Sequence, residues 1–414
     1  MTASLLLAYI LTVLLFEVAV LIAAAAWRTR RANRVALIDV SGPAVSPGAW
    51  PGWRPFRVAR RDFEDADRTQ CSFHLVPVDR AELPPFKPGQ FLTFALPAAD
   101  NTTSAADEQH RIIRCYSLSD RPEPASYRVT IKRVMPPADR PHVPPGAASA
   151  YFHDRVKVGD ILEIKSPSGQ FYIDPDPQIP SVLICGGIGI TPMMSMVRWC
   201  LDQQPERVIH MFYGLRHGGE HAFKQTLEAL AQAHPNFHLH VLYSKPRAED
   251  VHGEDFEAAG HVDGALLRRV LPHGRHKFYV CGPPPMMESL VPGLREWGVL
   301  EEDIHHEAFG PASLRSAVGR SPDGSLRQLA SIEVTFRRSG RTLTWDGRDT
   351  NLLDFAERHG IGVESGCRSG SCGSCETRLL SGTVRYPEKP DHDITPGKCL
   401  LCVGVPESAL SLEA

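Results

Sequence analysis

A large surplus of charge of either sign is absent from this 414-residue chain, whose formal net charge is −3. Because lysine and arginine are not in excess, composition does not support nucleic-acid binding, and we expect no nucleic-acid partner. Internal sequence repeats are absent as well, which argues against a repeat architecture. Hydrophobic content of 43% and charged content of 22% are ordinary for globular proteins, and the length favours about three domains.

The ten cysteines do not have the spread of a disulfide scaffold. Cys71, Cys115, Cys185 and Cys200 are isolated, whereas a dense group lies near the C-terminus. This distribution indicates metal ligation together with buried thiols in a reducing compartment.

One long apolar run is present, at the N-terminus. Residues 5–27 are apolar except for Thr12 and Glu17, and at about 1.5 Å per residue they can cross a hydrocarbon core of about 30 Å as a helix. Arginines follow at 28, 30, 31 and 34, which favours a cytoplasmic C-terminal side. A cleaved signal peptide, the alternative, prefers positive charge before a shorter apolar run. We therefore expect a single-pass membrane protein with cytoplasmic catalytic domains.

Strand and helix patterns predict a multidomain protein. Alternating apolar and polar residues in 53–176 favour an antiparallel β-barrel. Strands that alternate with helices in 177–310 favour an α/β domain with a parallel sheet. We expect a transmembrane anchor at 1–27, a linker at 28–52, the barrel at 53–176, the α/β domain at 177–310, a second linker at 311–330 and a third domain at 331–414.

The third domain contains the strongest motif. Cys367, Cys372 and Cys375 have C-x4-C-x2-C spacing, and Cys399 or Cys402 follows. This is the spacing of plant-type [2Fe–2S] sites, and the glycines between the cysteines permit a tightly curled loop. A zinc knuckle, the alternative, usually has two C-x2-C pairs, and only one is present.

Residues 331–414 resemble a plant-type ferredoxin, an α+β domain of the β-grasp type. A hairpin at 332–345 precedes a helix that we expect to end at Gly360, and the ligand loop follows. The Leu401-Cys402-Val403 segment, with Pro406 after it, is similar to the family's fourth-ligand segment. The resemblance therefore implies Cys402 rather than Cys399 as the fourth ligand, beside Cys367, Cys372 and Cys375.

Three further motifs are weak evidence individually, and their order along the chain makes them more informative. Arg114-Cys-Tyr116-Ser117 follows a strand-like segment. The glycine-rich segment 186–192 follows a second strand and begins a helix, where backbone N–H groups can hold a pyrophosphate. Cys281-Gly-Pro ends another strand about ninety residues later. Taken singly, these patterns are also consistent with a barrel rim, an ordinary turn and a buried thiol.

In this order the motifs resemble the ferredoxin–NADP reductase superfamily, in the domain order of oxygenase reductases. The resemblance implies that an arginine pairs with the flavin phosphate, a tyrosine packs on its ring, and a serine hydrogen-bonds the ring edge. It also implies a cysteine near the hydride path and an aromatic ring over the flavin. The residues implied to hold FAD or NADH are Arg114, Tyr116, Ser117, Gly146, Ser149, Gly186, Gly187, Gly189, Thr191, Pro192, Cys281, Gly282, Pro283 and Phe309, and those implied at the reaction centre are Cys281, Glu307, Phe309 and Ser117.

These features predict an enzyme that passes electrons from NADH through FAD and a [2Fe–2S] cluster to a redox partner protein. The anchor departs from the soluble relatives and favours a membrane-associated oxygenase, hydroxylase or desaturase as that partner. NADH is favoured over NADPH because Glu220, near Arg216, is expected to repel a 2′-phosphate. FMN in place of FAD, a quinone or ferric reductase, and a redox sensor without turnover are the alternatives.

Overall fold

The computed structural model describes residues 49–97, 111–136, 141–309, 332–387, 390 and 392–414. The expected anchor at 1–27 and the linker at 311–330 lie outside these residues, as does most of the linker at 28–52. Within the described parts of the chain, no helix is both long and apolar enough to cross a bilayer.

The first domain is an antiparallel sheet that curls into a barrel. Its described strands have the order β4-β3-β6-β1-β2-β5, and a bridge between Leu118 and Val129 joins the β4 and β5 ends. The barrel consists of β1 (Arg54–Phe63), β2 (Gln70–Pro77), β3 (Phe91–Pro97), β4 (Arg111–Ser117), β5 (Tyr127–Lys132), α1 (Ala147–Asp154) and β6 (Ile161–Ser168).

Aromatic side chains fill the barrel. Phe94 and Phe152 are fully buried, and their rings meet edge to face with centroids 5.3 Å apart. Because Phe152 lies on α1 and Phe94 on β3, this contact fixes the helix against the sheet. Alternation along β3 turns Leu92 and Phe94 inward and Thr93 outward, as strand geometry requires.

The second domain is a parallel sheet with strand order β10-β9-β8-β7-β11-β12 and apolar clusters on both faces. Its central strand β7 is buried throughout, as expected for a parallel strand covered by helices. The domain consists of β7 (Ser181–Gly186), α2 (Ile190–Gln203), β8 (Ile209–Leu215), α3 (Lys224–Ala233), β9 (Phe237–Tyr243), β10 (Ala258–Ala259), α4 (Gly264–Val270), β11 (Lys277–Cys281), α5 (Pro284–Glu296) and β12 (Ile304–Glu307).

The third domain packs one helix on a mixed sheet of order β14-β13-β19-β15-β17. Asn351 caps the helix by accepting a 2.8 Å hydrogen bond from the Asp354 N–H, and Phe355 packs edge-on against Trp345. The domain consists of β13 (Ile332–Phe336), β14 (Arg341–Trp345), α6 (Leu352–Arg358), β15 (Glu376–Ser381), β16 (Val384–Arg385), β17 (Lys398–Leu400), β18 (Val405–Pro406) and β19 (Leu410–Leu412).

The three-part fold expected from the sequence is present in the described residues. Two helices, α1 and α4, had no clear sequence signal. Helix α1 begins after Gly146 without a side-chain cap, and α4 spans seven residues. Helix α1 lacks a capping side chain, and α4, although capped by Asp263, is too short to show a helical period in the sequence.

Candidate functional site

The ligand loop between α6 and β15 is shaped by residues in the left-handed region. Arg368, Gly370 and Gly373 have φ of 57°, 78° and 69°. A Cβ on Gly373 would overlap the His392 ring, so this position requires glycine. The resulting curl brings cysteines separated by only a few residues onto one side of the loop.

The four predicted ligands lie together as two thiol pairs. The N–H of Cys367 donates to Cys372 Sγ over 3.3 Å. The N–H of Cys402 donates to Cys375 Sγ over 3.4 Å. The N–H groups of Ser371 and Cys372 both donate to Cys367 Sγ over 3.3 Å. Backbone donors aimed at sulfur stabilise thiolates, the form that binds metal.

The four cysteines suit a cluster of two irons. A [2Fe–2S] cluster takes two thiolates at each of two irons, and backbone N–H groups here donate to the sulfurs of Cys367, Cys372 and Cys375. The residues present therefore fit a [2Fe–2S] cluster, which Cys367, Cys372, Cys375 and Cys402 would hold.

Cys399 lies elsewhere in the same domain. Its backbone pairs with Thr377 between β15 and β17, and its side chain is buried in the apolar core. Burial raises the pKa of the Cys399 thiol to about 12. The structure thus places Cys402, and not Cys399, in hydrogen-bond contact with Cys375.

The flavin motif lies on β4 at the edge of the barrel sheet. Tyr116 is held edge-on by Phe94 and Phe152, with ring centroids 5.7 and 5.3 Å away. Burial raises the pKa of its hydroxyl, so Tyr116 stays neutral. Arg114 projects to the exposed edge, where its guanidinium donates to the Ile113 carbonyl over 2.7 Å, and Ser117 is buried.

Helix α1 supplies a second flavin element. No side chain caps its first N–H groups. Ser149 instead accepts from the Val134 N–H over 3.1 Å and donates to the Gly146 carbonyl over 2.9 Å. An uncapped helix N-terminus is a suitable anion site, so Gly146 and Ser149 fit the pyrophosphate of FAD. The Tyr116–Phe152 ring contact joins this helix to β4.

The two nucleotide motifs meet at the carboxyl edge of the parallel sheet. A Cβ on Gly189 would overlap the carbonyl oxygen of Cys281, and one on Gly186 would lie 2.7 Å from Pro283 Cδ. Gly187 has φ of 52°, and Gly282 lies against Met286. Glycine is therefore required where the two turns touch, and the carboxyl edge is where α/β sheets bind nucleotides.

The side chains that directly follow this turn in the chain are buried. Thr191 is buried and donates to the Ile188 carbonyl over 3.0 Å, and Pro192 is buried in the first turn of α2. Both side chains therefore help to fix the start of α2, and their predicted part in nucleotide binding remains a prediction. Backbone N–H groups of such a turn are the groups expected to hold a pyrophosphate.

Three of the four predicted reaction-centre residues lie on or just after the neighbouring strands β11 and β12, whereas Ser117 lies at the end of β4. Cys281 pairs in register with Glu307. Cys281 is fully buried, and burial, reinforced by the charge of Glu307, raises the pKa of its thiol. Phe309, two residues beyond, is 37% exposed, which leaves its ring available to cover a flavin. The catalytic roles of these residues remain predictions.

Glu220 lies in a different setting from the one expected. Its carboxylate is buried and paired with Lys132 Nζ at 3.1 Å and with the Arg216 guanidinium. These partners hold the pKa of Glu220 low against the opposing effect of burial. The charge of Glu220 is therefore compensated by Lys132 and Arg216, and its effect on a 2′-phosphate remains a prediction.

Sequence reasoning missed the residues that join the barrel to the nucleotide domain. Asp67 binds both guanidinium nitrogens of Arg247 at 2.7 and 3.0 Å, and the Asp67 N–H donates to the Gly219 carbonyl over 2.9 Å. Lys132 Nζ lies 4.0 Å from a Cβ placed on Gly187, close to the nucleotide turn. These partners are more than 50 residues apart in sequence, so no local pattern could reveal them.

The ligand loop also contacts strand β4. A Cβ on Gly366 would lie 2.9 Å from Cys372 Sγ and 3.2 Å from Ile113 Cγ2. Ile113 lies on β4, two residues before Cys115 of the Arg-x-Tyr-Ser motif. The predicted cluster and flavin sites therefore share β4 as a common wall.

Comparisons with known proteins agree with this layout. Residues 183–291 match the family model described as an oxidoreductase NAD-binding domain. Residues 334–407 match the model described as a 2Fe-2S iron–sulfur cluster binding domain. These matches, with the relatives below, confirm the predicted cofactors NADH, FAD and [2Fe–2S] and the prediction of an oxidoreductase.

Among curated relatives, a flavohemoprotein of Halalkalibacterium halodurans is 36% identical over 64% of this chain and 62% of its own length. The chain thus spans less than two thirds of that relative. A solved flavohaemoglobin-like FAD/NAD-binding domain of nitric oxide dioxygenase from Vibrio cholerae is 31% identical, covering 63% of this chain and 100% of that chain, with a TM-score of 0.53. Phthalate dioxygenase reductase, at 24% identity, covers 88% of this chain and 98% of its own with a TM-score of 0.52, a likeness of fold.

Proposed function

The chain belongs to the ferredoxin–NADP reductase superfamily and ends in a plant-type [2Fe–2S] domain, and from this premise we propose that it delivers electrons from NADH to a membrane-associated oxygenase, hydroxylase or desaturase. The observation that supports the proposal is that the predicted flavin site and the predicted cluster site share strand β4. Strand β4 holds the Arg114-x-Tyr116-Ser117 motif and contacts the cluster-ligand loop. A bound flavin accepts the two electrons of a hydride together and releases them singly, as an iron–sulfur cluster requires.

The protein's own groups have distinct tasks in this chemistry. The turn at 186–189, which lies in close contact with Cys281-Gly282, would offer backbone N–H groups to the nucleotide pyrophosphate. Arg114 is placed at the exposed edge to pair with a flavin phosphate. Tyr116, neutral and held by two rings, offers an apolar face to the isoalloxazine.

Delivery to a membrane partner is supported by the apolar run at 5–27. Tethering would confine the cluster near the bilayer and raise its effective concentration toward partners there. The fold likeness to phthalate dioxygenase reductase, whose structure is described as modular for electron transfer from pyridine nucleotides to [2Fe–2S], supports the same type of delivery.

Deletion of residues 1–30 tests the membrane partner. Because the sites lie at 111–149, 186–309 and 366–402, reduction of a soluble artificial acceptor by NADH should be unchanged. Product formation by the physiological pathway in cells should fall sharply. A matched control replaces residues 1–30 with an unrelated transmembrane helix, which should restore the pathway. Full pathway output from the deletion variant at equal abundance would contradict the membrane partner.

The alternatives give different results with the purified full chain in detergent. Rapid steady-state NADH oxidation with an artificial acceptor would exclude a sensor without turnover. A quinone or ferric reductase would reduce its acceptor equally well after Cys402→Ser removes the cluster, because electrons would leave from the flavin. The proposed function predicts that transfer to the partner protein is lost in that variant.

A further inference from the structure

The segment that follows β8, residues 216–223, is held by the barrel as well as by its own domain. The Asp67 N–H donates to the Gly219 carbonyl over 2.9 Å, and the Phe223 N–H donates to the Glu64 carbonyl over 3.1 Å. Phe223 has φ of 59°, a left-handed conformation that a residue with a bulky side chain adopts only at a cost. The β1–β2 hairpin of the barrel therefore helps to hold the 216–223 segment in one conformation.

Gln70, the first residue of β2, makes a buried contact with the same segment. Its side chain is fully buried, and its Nε2 donates to the Glu220 carbonyl over 2.8 Å. The same Nε2 lies 3.4 Å from Asp65 Oδ2, and the Gln70 N–H donates to Asp65 Oδ1 over 2.9 Å. Because both partners of the side chain are acceptors, the amide nitrogen must face them. Gln70 is thus fixed through its main chain and reaches the 216–223 segment with its side chain.

The 216–223 segment lies beside the turn that is predicted to hold the nucleotide pyrophosphate. Strand β8 runs parallel to β7, with Gly214 opposite Gly186, so the two strands end at the same edge of the sheet. Lys132 Nζ pairs with Glu220 Oε2 at 3.1 Å and lies 4.0 Å from a Cβ placed on Gly187. In α/β nucleotide domains, the residues that follow the second strand contact the ribose of the adenosine.

We propose that Gln70, a residue of the flavin barrel, is a positioning residue that holds the 216–223 segment in the conformation that receives the adenosine ribose of NADH. The inference rests on the proposed function, because it requires NADH as the electron donor. Gln70 acts through the main chain of Glu220. A buried carbonyl that loses its donor is destabilised, so the segment would leave this conformation and would have to be ordered again when the nucleotide binds. Hydride transfer from a nucleotide that is already bound would not change.

The test uses the full-length holoprotein and anaerobic stopped-flow reduction of the flavin by NADH. Gln70→Met keeps an unbranched side chain of similar length and removes the amide. We expect the NADH concentration at half-maximal rate to rise about three- to tenfold, which corresponds to the loss of one hydrogen bond. The rate at saturating NADH should stay at the wild-type value. Hydrogen exchange in the peptide that covers 216–223 should become faster in the same variant.

Tyr127→Phe is the matched control. Tyr127 Oη donates to the Pro84 carbonyl over 2.6 Å within the barrel, and Tyr127 lies at the opposite end of the β2–β5 ladder from Gln70. This substitution also removes a side-chain donor from one buried carbonyl, so it should cost similar stability and leave the half-saturating NADH concentration unchanged. If Gln70→Met does not fold, Gln70→Asn decides, because its amide is one methylene too short to reach the Glu220 carbonyl.

A folded Gln70→Met or Gln70→Asn protein with the wild-type half-saturating concentration would overturn the positioning role, whatever its saturating rate. The same increase in Tyr127→Phe would overturn it as well, because the effect would then follow from lost stability. A wild-type protein whose flavin is not reduced by NADH would instead refute the proposed function. The two failures are therefore distinguishable.

Discussion

Replacing Cys402 or Cys399 with serine distinguishes a cluster ligand from a buried core thiol. The two cysteines lie only three residues apart in the sequence. Cys402 donates its N–H to Cys375 Sγ over 3.4 Å and contacts that sulfur, whereas Cys399 is 1% exposed within the β15–β17 core. We expect Cys402→Ser to remove one of four thiolates and abolish the cluster. Cys399→Ser should retain it.

The two serine variants are expected to lose similar amounts of folding free energy, so their cluster contents can be compared directly. Serine at position 399 buries a hydroxyl without a prepared partner, which costs about 1–3 kcal/mol. Since a domain is stable by about 5–15 kcal/mol, most of the Cys399→Ser protein should remain folded. Cluster loss in Cys402→Ser would thus reflect lost ligation and not the cost of a buried hydroxyl, because the control bears the same cost.

The assay is the iron and acid-labile sulfide content per folded chain, with visible absorption and electron paramagnetic resonance of the reduced protein. Circular dichroism reports folding in both variants. A cluster that survives in Cys402→Ser while Cys399→Ser loses it would refute the assignment and the geometric reasoning behind it.

Three further predictions concern the nucleotide half. Gly189→Ala should raise the KM for NADH and lower kcat, measured by steady-state kinetics, because the added methyl overlaps the Cys281 carbonyl oxygen and pushes the two turns apart. Glu220→Gln should free the Arg216 guanidinium for a 2′-phosphate, so the ratio of kcat/KM for NADPH to that for NADH should rise about three- to tenfold, on the order of 1 kcal/mol. Burial lowers the pKa of His221 to about 3, so this imidazole stays neutral in the folded state. Its unfolded form takes up a proton near pH 6.5, so stability is full above about pH 6.5 and falls by about 1.4 kcal/mol per pH unit toward pH 3; denaturant titrations of His221→Asn should lack that part of the slope.

Controls and contradicting outcomes are available for each. Gly293→Ala changes a helical glycine near the C-terminal end of α5, with open space around it, and should leave the KM for NADH unchanged. Glu301→Gln breaks the exposed pair with Arg295 with the same change of charge and should not move the nucleotide ratio. A Gly189→Ala enzyme with wild-type kinetics, an unchanged ratio in Glu220→Gln, or an equal pH slope in His221→Asn would each contradict its own argument.

Much of the site could be predicted because its parts are local in sequence. The three loop cysteines lie within nine residues, 367–375, and the glycine turn follows directly on β7. In such segments the spacing of the residues indicates which cofactor they bind. The strand–turn–helix order around them then restricts the protein families that the chain can resemble. The hairpin β13–β14 and the helix ending before Gly360 were predicted for the same reason.

The remainder depends on long-range packing. Glu220 pairs with Lys132 across 88 residues, and this pairing compensates the charge of Glu220. Gly366 of the ligand loop approaches Ile113 only because two domains meet at β4. In the sequence, Ile113 looks like any apolar strand residue, and neither spacing nor periodicity distinguishes it. Strand β1 was also hard to predict from the sequence. Its many arginines obscure the pattern of the two apolar residues, Phe56 and Val58, that face the core.

The central claim is that electrons from NADH reach a [2Fe–2S] cluster through the flavin within this one chain. Anaerobic stopped-flow mixing of the purified full-length protein with NADH, followed by freeze-quench electron paramagnetic resonance, tests it most directly. We expect the flavin to bleach first. The resonance of a reduced [2Fe–2S] cluster should then appear in the same molecules, at up to one spin per chain. Flavin reduction with a cluster that stays oxidised, or a protein whose four cysteines hold zinc, would contradict it.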